Sequence, residues 1–308
     1  MVGGMFELSP REVRESERAQ QQQLQTQMRA IERAAAPLND RETRDLMAGV
    51  RNYAREHPGA TTAQLAQEGL AYLQRMRDEG TAFGSNSARD GRIMQATRNL
   101  FEEGMRSTLG PRAEQMREYR CPVTATPSDA QTILRDLERA RARSGPLNQD
   151  DAAQTIVTSI GSIIAAQGES AYRRLNGSES QALNVQIRSE LKRAGMEGGG
   201  NREMIQAVLI NHAPPEVAQY FTREVTHRRL GDQQAAELAI NTIEHMRGTM
   251  PPEQYSDAYN TLLGAMTLRG IYPGNPQRGQ YFVDGRSDTD FRTDAQVRTG
   301  TNGMPILR

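Results

Sequence analysis

Several residue types are scarce in this chain, and each scarcity closes off a class of function. One cysteine, Cys121, excludes an intrachain disulfide framework and any zinc site built on several thiolates. Tryptophan is absent and aromatics make up 5% of residues, so core bulk must come from aliphatic side chains and 14 methionines. No apolar run approaches the ~20 residues of a membrane span, and the N-terminus lacks the continuous apolar stretch of a secretory signal. Net charge is missing too, because 38 basic and 38 acidic residues cancel. A generally basic coat for nucleic acid is thereby disfavoured, although a local patch is not. Lysine is nearly absent: Lys192 is the only one, so 37 of the 38 basic residues are arginine. Arginine codons of a GC-rich genome account for this. The sharper alternative is a protein delivered into a eukaryotic cell, which gains by offering few ubiquitin acceptors.

What is present is a legible helical pattern. The 308 residues suffice for one large or two modest domains with a real core, and 36% hydrophobic against 25% charged residues fits a polar globular chain. Ser9-Pro10-Arg11-Glu12 reads as a capping box with proline at the first helical position, opening a Gln-rich helix whose apolar stripe is Leu24, Met28, Ile31 and Ala35. Pro37 ends it, and Asn39 or Asp40 starts the next helix. Thr61 and Gln64 restart the chain after Pro58-Gly59, and Ser128-Asp129-Ala130-Gln131 reads as the start of a later helix. In the second half the signals are Ser178 with Gln181, Pro214-Pro215 with Gly231 as the stop, Asp232 as a cap, and Pro251-Pro252 with Gly270 as the stop. The segment holding Ile156, Val157, Ile160, Ile163 and Ile164 is apolar on most of its circumference, as a helix enclosed by its neighbours would be.

These signals predict an all-α protein of about ten to twelve helices in a multi-helix bundle, followed by an extended non-helical C-terminal arm. The expected organisation is a Gln-rich helix over 1–36, a first bundle over 37–120 and a linker over 121–127 with two prolines. A second bundle over 128–270 and the arm over 271–308 complete it. Pro37-Leu38-Asn39 recurs as Pro146-Leu147-Asn148 before a second helix, a match too short to establish a duplication.

Candidate chemistry is sparse. His57 sits at a helix end, where an imidazolium suits the helix dipole. His212, His227 and His245 fall on three successive helices without the spacing of a metal motif. Cys121 lacks any flanking signature of a nucleophile. Gly198-Gly199-Gly200 precedes a helix and could cradle a phosphate, but no P-loop lysine accompanies it, so a flexible connection is the better reading. Asp284, Asp288 and Asp290 do not have the spacing of a calcium loop. No cofactor is expected. Arg135, Arg139 and Arg143 form one stripe of a helix, with Asp136 and Glu138 read as lying elsewhere; a solvated face with i, i+4 ion pairs accounts for it, docking on an acidic protein partner is the functional alternative, and nucleic acid is possible but weak. In the arm, Tyr281, Phe282, Phe291, Ile306 and Leu307 form sparse apolar clusters suited to docking on a partner.

The sequence therefore points to a soluble, non-enzymatic structural or interaction protein that oligomerises or joins a larger complex. Its expected settings are a bacteriophage virion, at the head-to-tail junction or inside the particle, or the bacterial cytoplasm, rather than a membrane. A bacterial effector acting by protein binding in a host cell is the alternative, and an enzyme of unrecognised type comes third.

Overall fold

Helix starts in this chain are fixed by side chains that satisfy otherwise orphaned N–H groups. In the computed structural model, which describes residues 10–82, 87–110, 125–176, 181–196, 198–271, 298–299 and 305–306, these starts delimit twelve α-helices. The protein is all-α. Among the described residues no helix is long and apolar enough to cross a membrane. The chain divides into two units, Met1–Gly110 and Pro111–Arg308.

The first unit contains α1 (Pro10–Ala34), α2 (Asp40–Glu56), α3 (Thr62–Ala82) and α4 (Ser87–Leu109). Asn39 caps α2 by accepting from the Glu42 N–H at 2.9 Å, while the Glu42 carboxylate accepts from the Asn39 N–H at 3.0 Å. Glu42 also receives Arg92 of α4 through two hydrogen bonds of 3.1 and 3.3 Å. Burial alone would raise the pKa of Glu42, but the Arg92 and Asn39 hydrogen bonds and the charges of Arg92 and Arg89 hold it below its ordinary value. α3 packs mainly on α4, with α1 against both, and Ile31, Ala35, Leu46, Val50, Leu70 and Leu100 fill the core. The stripe expected on α1 is only half realised. Ile31 and Ala35 are buried, whereas Leu24 is 39% exposed and residues 18–26 are exposed throughout. That stretch is polar all round, so it has no face to bury.

The second unit begins with α5 (Pro127–Ser144), α6 (Gln149–Gln167), α7 (Glu169–Leu175) and α8 (Gln181–Arg193). It continues with α9 (Asn201–His212), α10 (Pro215–Arg228), α11 (Asp232–His245), a 3-10 turn at Met246–Gly248, and α12 (Pro252–Leu268). α5 starts two residues earlier than the sequence suggested. Thr126 accepts from the Asp129 N–H at 3.1 Å and Asp129 returns the bond to the Thr126 N–H at 2.8 Å, with Pro127 in the first turn, where a missing N–H costs nothing. Two further punctuation readings shift by similar amounts. Gly231, not Asp232, caps α11, and α10 is closed by Arg229 in the left-handed region (φ 54°) rather than by Gly231. Asn148 caps α6 by accepting from the Asp151 N–H at 2.8 Å, the role Asn39 has for α2.

α6 is the centre of this unit and touches α5, α7, α8 and α12. Ile160 and Ile164 are fully buried, as the all-round apolar pattern required. The crossing of α6 with α12 is a backbone contact. A Cβ on Gly161 would lie 1.8 Å from the Asn260 carbonyl oxygen, and one on Gly264 would lie 1.9 Å from that of Val157. Glycine within a helix costs about 1 kcal/mol relative to alanine. Here it permits an approach that no other residue allows.

Beyond α12, the described residues are Arg269, Gly270, Ile271 and two short strands, Arg298–Thr299 and Pro305–Ile306, which pair antiparallel. The remainder of the expected arm, with Tyr281, Phe282, Phe291 and Leu307, lies outside the described residues, as do Ser9, Cys121, Ser178, Asp284, Asp288 and Asp290.

Candidate functional site

The close crossing of α6 and α12 sets two polar rows facing each other. Gln154 and Thr158 are one turn apart on α6, and Asp257 and Thr261 are one turn apart on α12. The Gln154 side-chain amide donates to Thr261 Oγ1 at 2.8 Å, and the hydroxyls of Thr158 and Thr261 share a hydrogen bond of 2.9 Å. α5 closes the third side of this groove, with Asp136, Arg139 and Arg143 along its wall and Ser159 and Ser162 of α6 on its floor. The groove encloses about 370 Å³.

Of the expected arginine stripe, Arg139 and Arg143 line the groove; Arg135 is exposed on the same helix. Asp136 does not lie apart from the stripe. It sits 3.5 Å from Arg139 and 3.9 Å from Arg135, and accepts from the Ser159 hydroxyl at 2.8 Å. The reason is helical: positions three apart share a face as closely as positions four apart. Arg139 and Arg143 keep exposed guanidinium groups, each able to grip a carboxylate with two parallel N–H bonds.

Running inward from Asp257, which lines the groove and is half exposed, is a chain of otherwise buried polar groups that sequence reading missed. His212, at the end of α9, has a side chain only 9% exposed. One ring nitrogen, Nδ1, lies 2.6 Å from Asp257 Oδ2, and the other, Nε2, lies 2.9 Å from Glu190 Oε1. Glu190 is fully buried and also accepts from the Asn211 amide at 2.5 Å and the Gln186 amide at 3.2 Å. Burial by itself lowers the pKa of His212, but the hydrogen bonds and charges of Asp257 and Glu190 outweigh it and raise the pKa to about 9. The imidazole is therefore a cation at neutral pH, with both nitrogens acting as donors to carboxylates. Its two carboxylate partners come from α8 and α12 while His212 itself ends α9, so the chain ties these helices together.

The other histidines are not part of it. His57 is exposed at the end of α2, with Nδ1 3.1 Å from the Tyr53 carbonyl and its ring stacked on Tyr53. His227 and His245 are exposed in the last turns of α10 and α11. The only sequence sign of the buried chain was the row of polar residues on otherwise apolar helices (Gln154, Gln186, Glu190), whose meeting depends on helices far apart in sequence. Comparison with protein-family models, with curated proteins and with solved structures gave no match.

Proposed function

We propose that this is a non-enzymatic helical interaction protein that assembles with copies of itself or with a larger partner, and that acidic side chains of that partner dock in the groove between α5, α6 and α12. The observation that carries this reading is the pair of exposed guanidinium groups, Arg139 and Arg143, on the wall of a groove whose floor is hydroxyl-rich. Gln154, Thr158 and Thr261 already bond one another and Ser159 is held by Asp136, so they offer shape and polarity rather than reactivity. His212 holds two carboxylates with both ring nitrogens, an arrangement suited to joining helices and not to abstracting a proton at neutral pH. The polar, exposed stretch of α1 adds a second surface consistent with assembly. A virion component is the setting we favour. The scarcity of lysine favours, as a second reading, an effector that acts by binding protein inside a host cell.

Light scattering on the purified chain, with negative-stain images, tests the assembly reading: discrete multimers are expected, and a strict monomer at all concentrations overturns self-assembly. Reversing both charges (Arg139→Glu with Arg143→Glu) should abolish association at low ionic strength, where such contacts are least screened. Unchanged mass in the double variant removes the groove from the interface.

A further inference from the structure

We propose that the second unit carries a binding site for a small phosphate-bearing molecule, in the groove where the last turn of α8, the glycine loop before α9 and the end of α12 meet. This site is separate from the arginine groove and does not rest on it. The groove encloses about 580 Å³, and its cationic walls are Arg188 and Lys192 of α8 and Arg269 at the end of α12. Arg188 and Lys192 are one turn apart and so share a face of α8. No acidic residue lines the groove among the described residues; Glu197, in the same loop, lies outside them.

The charge there is unspent. Several other cations of this unit find carboxylates: Arg174 meets the buried Asp129 at 3.2 Å, Arg193 reaches Glu190 at 3.6 Å, and Arg228 reaches Glu224 at 2.9 Å. Arg188, Lys192 and Arg269 have no such partner among the described residues, and Arg188 only returns to its own helix, to the Asn184 carbonyl at 3.2 Å. Arg269 Nε is buried without an acceptor. A buried N–H left unmade is costly, and a bound water or anion is one way to complete it.

The glycine loop is shaped by packing rather than by freedom alone. A Cβ on Gly199 would fall 2.5 Å from Glu203 Cβ and 3.4 Å from Leu191 Cδ2, and Gly198 has φ +69°. Gly198 and Gly199 thus offer backbone as one wall of the groove. The Gly200 N–H is taken by the Glu203 carboxylate at 2.9 Å, so the positive potential comes from the three side chains and not from that cap. A phosphate group carries about −1.5 to −2 charges on three oxygens, which matches one ammonium and two guanidinium groups better than a single carboxylate does. Ile187, Leu191 and Met196 line the rest and suit an organic body attached to that phosphate.

Lys192 makes the test clean, because it holds the only ε-amine in the chain. The full-length protein is titrated calorimetrically with inorganic pyrophosphate at low ionic strength, and acetylation of Lys192 by an amine-reactive reagent is followed by mass spectrometry. Saturable one-to-one binding is expected, with acetylation of Lys192 slowed as pyrophosphate is added. Lys192→Gln combined with Arg269→Gln should weaken binding by about tenfold or more, the usual consequence of losing charged hydrogen bonds. Arg41→Gln, on α2 of the first unit, should bind as the parent does. Absence of binding, acetylation indifferent to pyrophosphate, or equal affinity in the double variant would each overturn the proposal. The acetylation readout uses the unaltered protein, so it decides the matter even if the double variant misfolds.

Discussion

The two grooves of the second unit are built from overlapping helices yet treat charge in opposite ways. In the groove between α5, α6 and α12 the acids are supplied internally: Asp136 faces Arg139, and Asp257 faces His212. In the groove between α8, the glycine loop and α12, three cations face a volume without a described acid. The first arrangement contributes to holding the fold and leaves only its rim for a partner. The second contributes little to the fold and has charge left over for a ligand.

The sharpest way to break the comparison is to remove what sets the helices in place. Gly161→Ala inserts a Cβ onto a backbone carbonyl that cannot turn aside, so α6 and α12 must separate. A loss of more than about 4 kcal/mol is expected in urea denaturation, beyond the range of ordinary substitutions. A stable Gly161→Ala protein would mean that the crossing is not as close as described.

Next in size is the buried chain. His212→Ala leaves Glu190, fully buried, with amide donors and only the more distant Arg193 at 3.6 Å as a cation, and should cost about 3 kcal/mol, the low end for breaking a buried pair. Replacing Glu190 by Gln in the same protein should recover part of that loss, because the buried charge is then gone. A cost for His212→Ala below about 1 kcal/mol, typical of exposed pairs, would place the network at the surface.

pH separates the grooves more gently. The folded pKa of His212, about 9, lies above its ordinary 6.5. The proton is therefore held more tightly in the folded state, and the stabilisation it gives is complete below about pH 6.5. It declines as pH rises from there and is gone once pH passes about 9. Denaturation midpoints measured across that window should fall in the parent and stay nearly flat in His212→Gln. A flat profile in the parent would show that the imidazole is not clamped.

The smallest effects belong to the rims. Arg143→Gln and Lys192→Gln alter exposed side chains without an ion-pair partner among the described residues, and each should change stability by no more than about 0.5 kcal/mol. Their expected consequences are for binding, to protein in the first case and to phosphate in the second. A large stability loss from either would turn a binding residue into a structural one.

Much of this architecture was readable in one dimension because its causes are local. Caps act within one turn, so Asn39, Asn148, Pro215 and Pro252 announced their helices directly. Where punctuation slid by a residue or two, at Thr126, Arg229 and Gly231, neighbouring residues could serve nearly as well, and packing chose between them. Leu24 misled because periodicity shows which face could be buried, and not whether anything is there to cover it.

The residues themselves determined the helical fold, the enclosed position of Ile160 and Ile164, and the stripe of arginines on α5. Each follows from a spacing of three or four along one helix. Tertiary structure alone decided that Gly161 meets Gly264, that His212 sits between Glu190 and Asp257, and that Lys192 and Arg269 share a groove. Those pairs are separated by between 22 and 103 residues. Their meeting depends on how whole helices cross, and charge and backbone clearance act through space rather than along the chain.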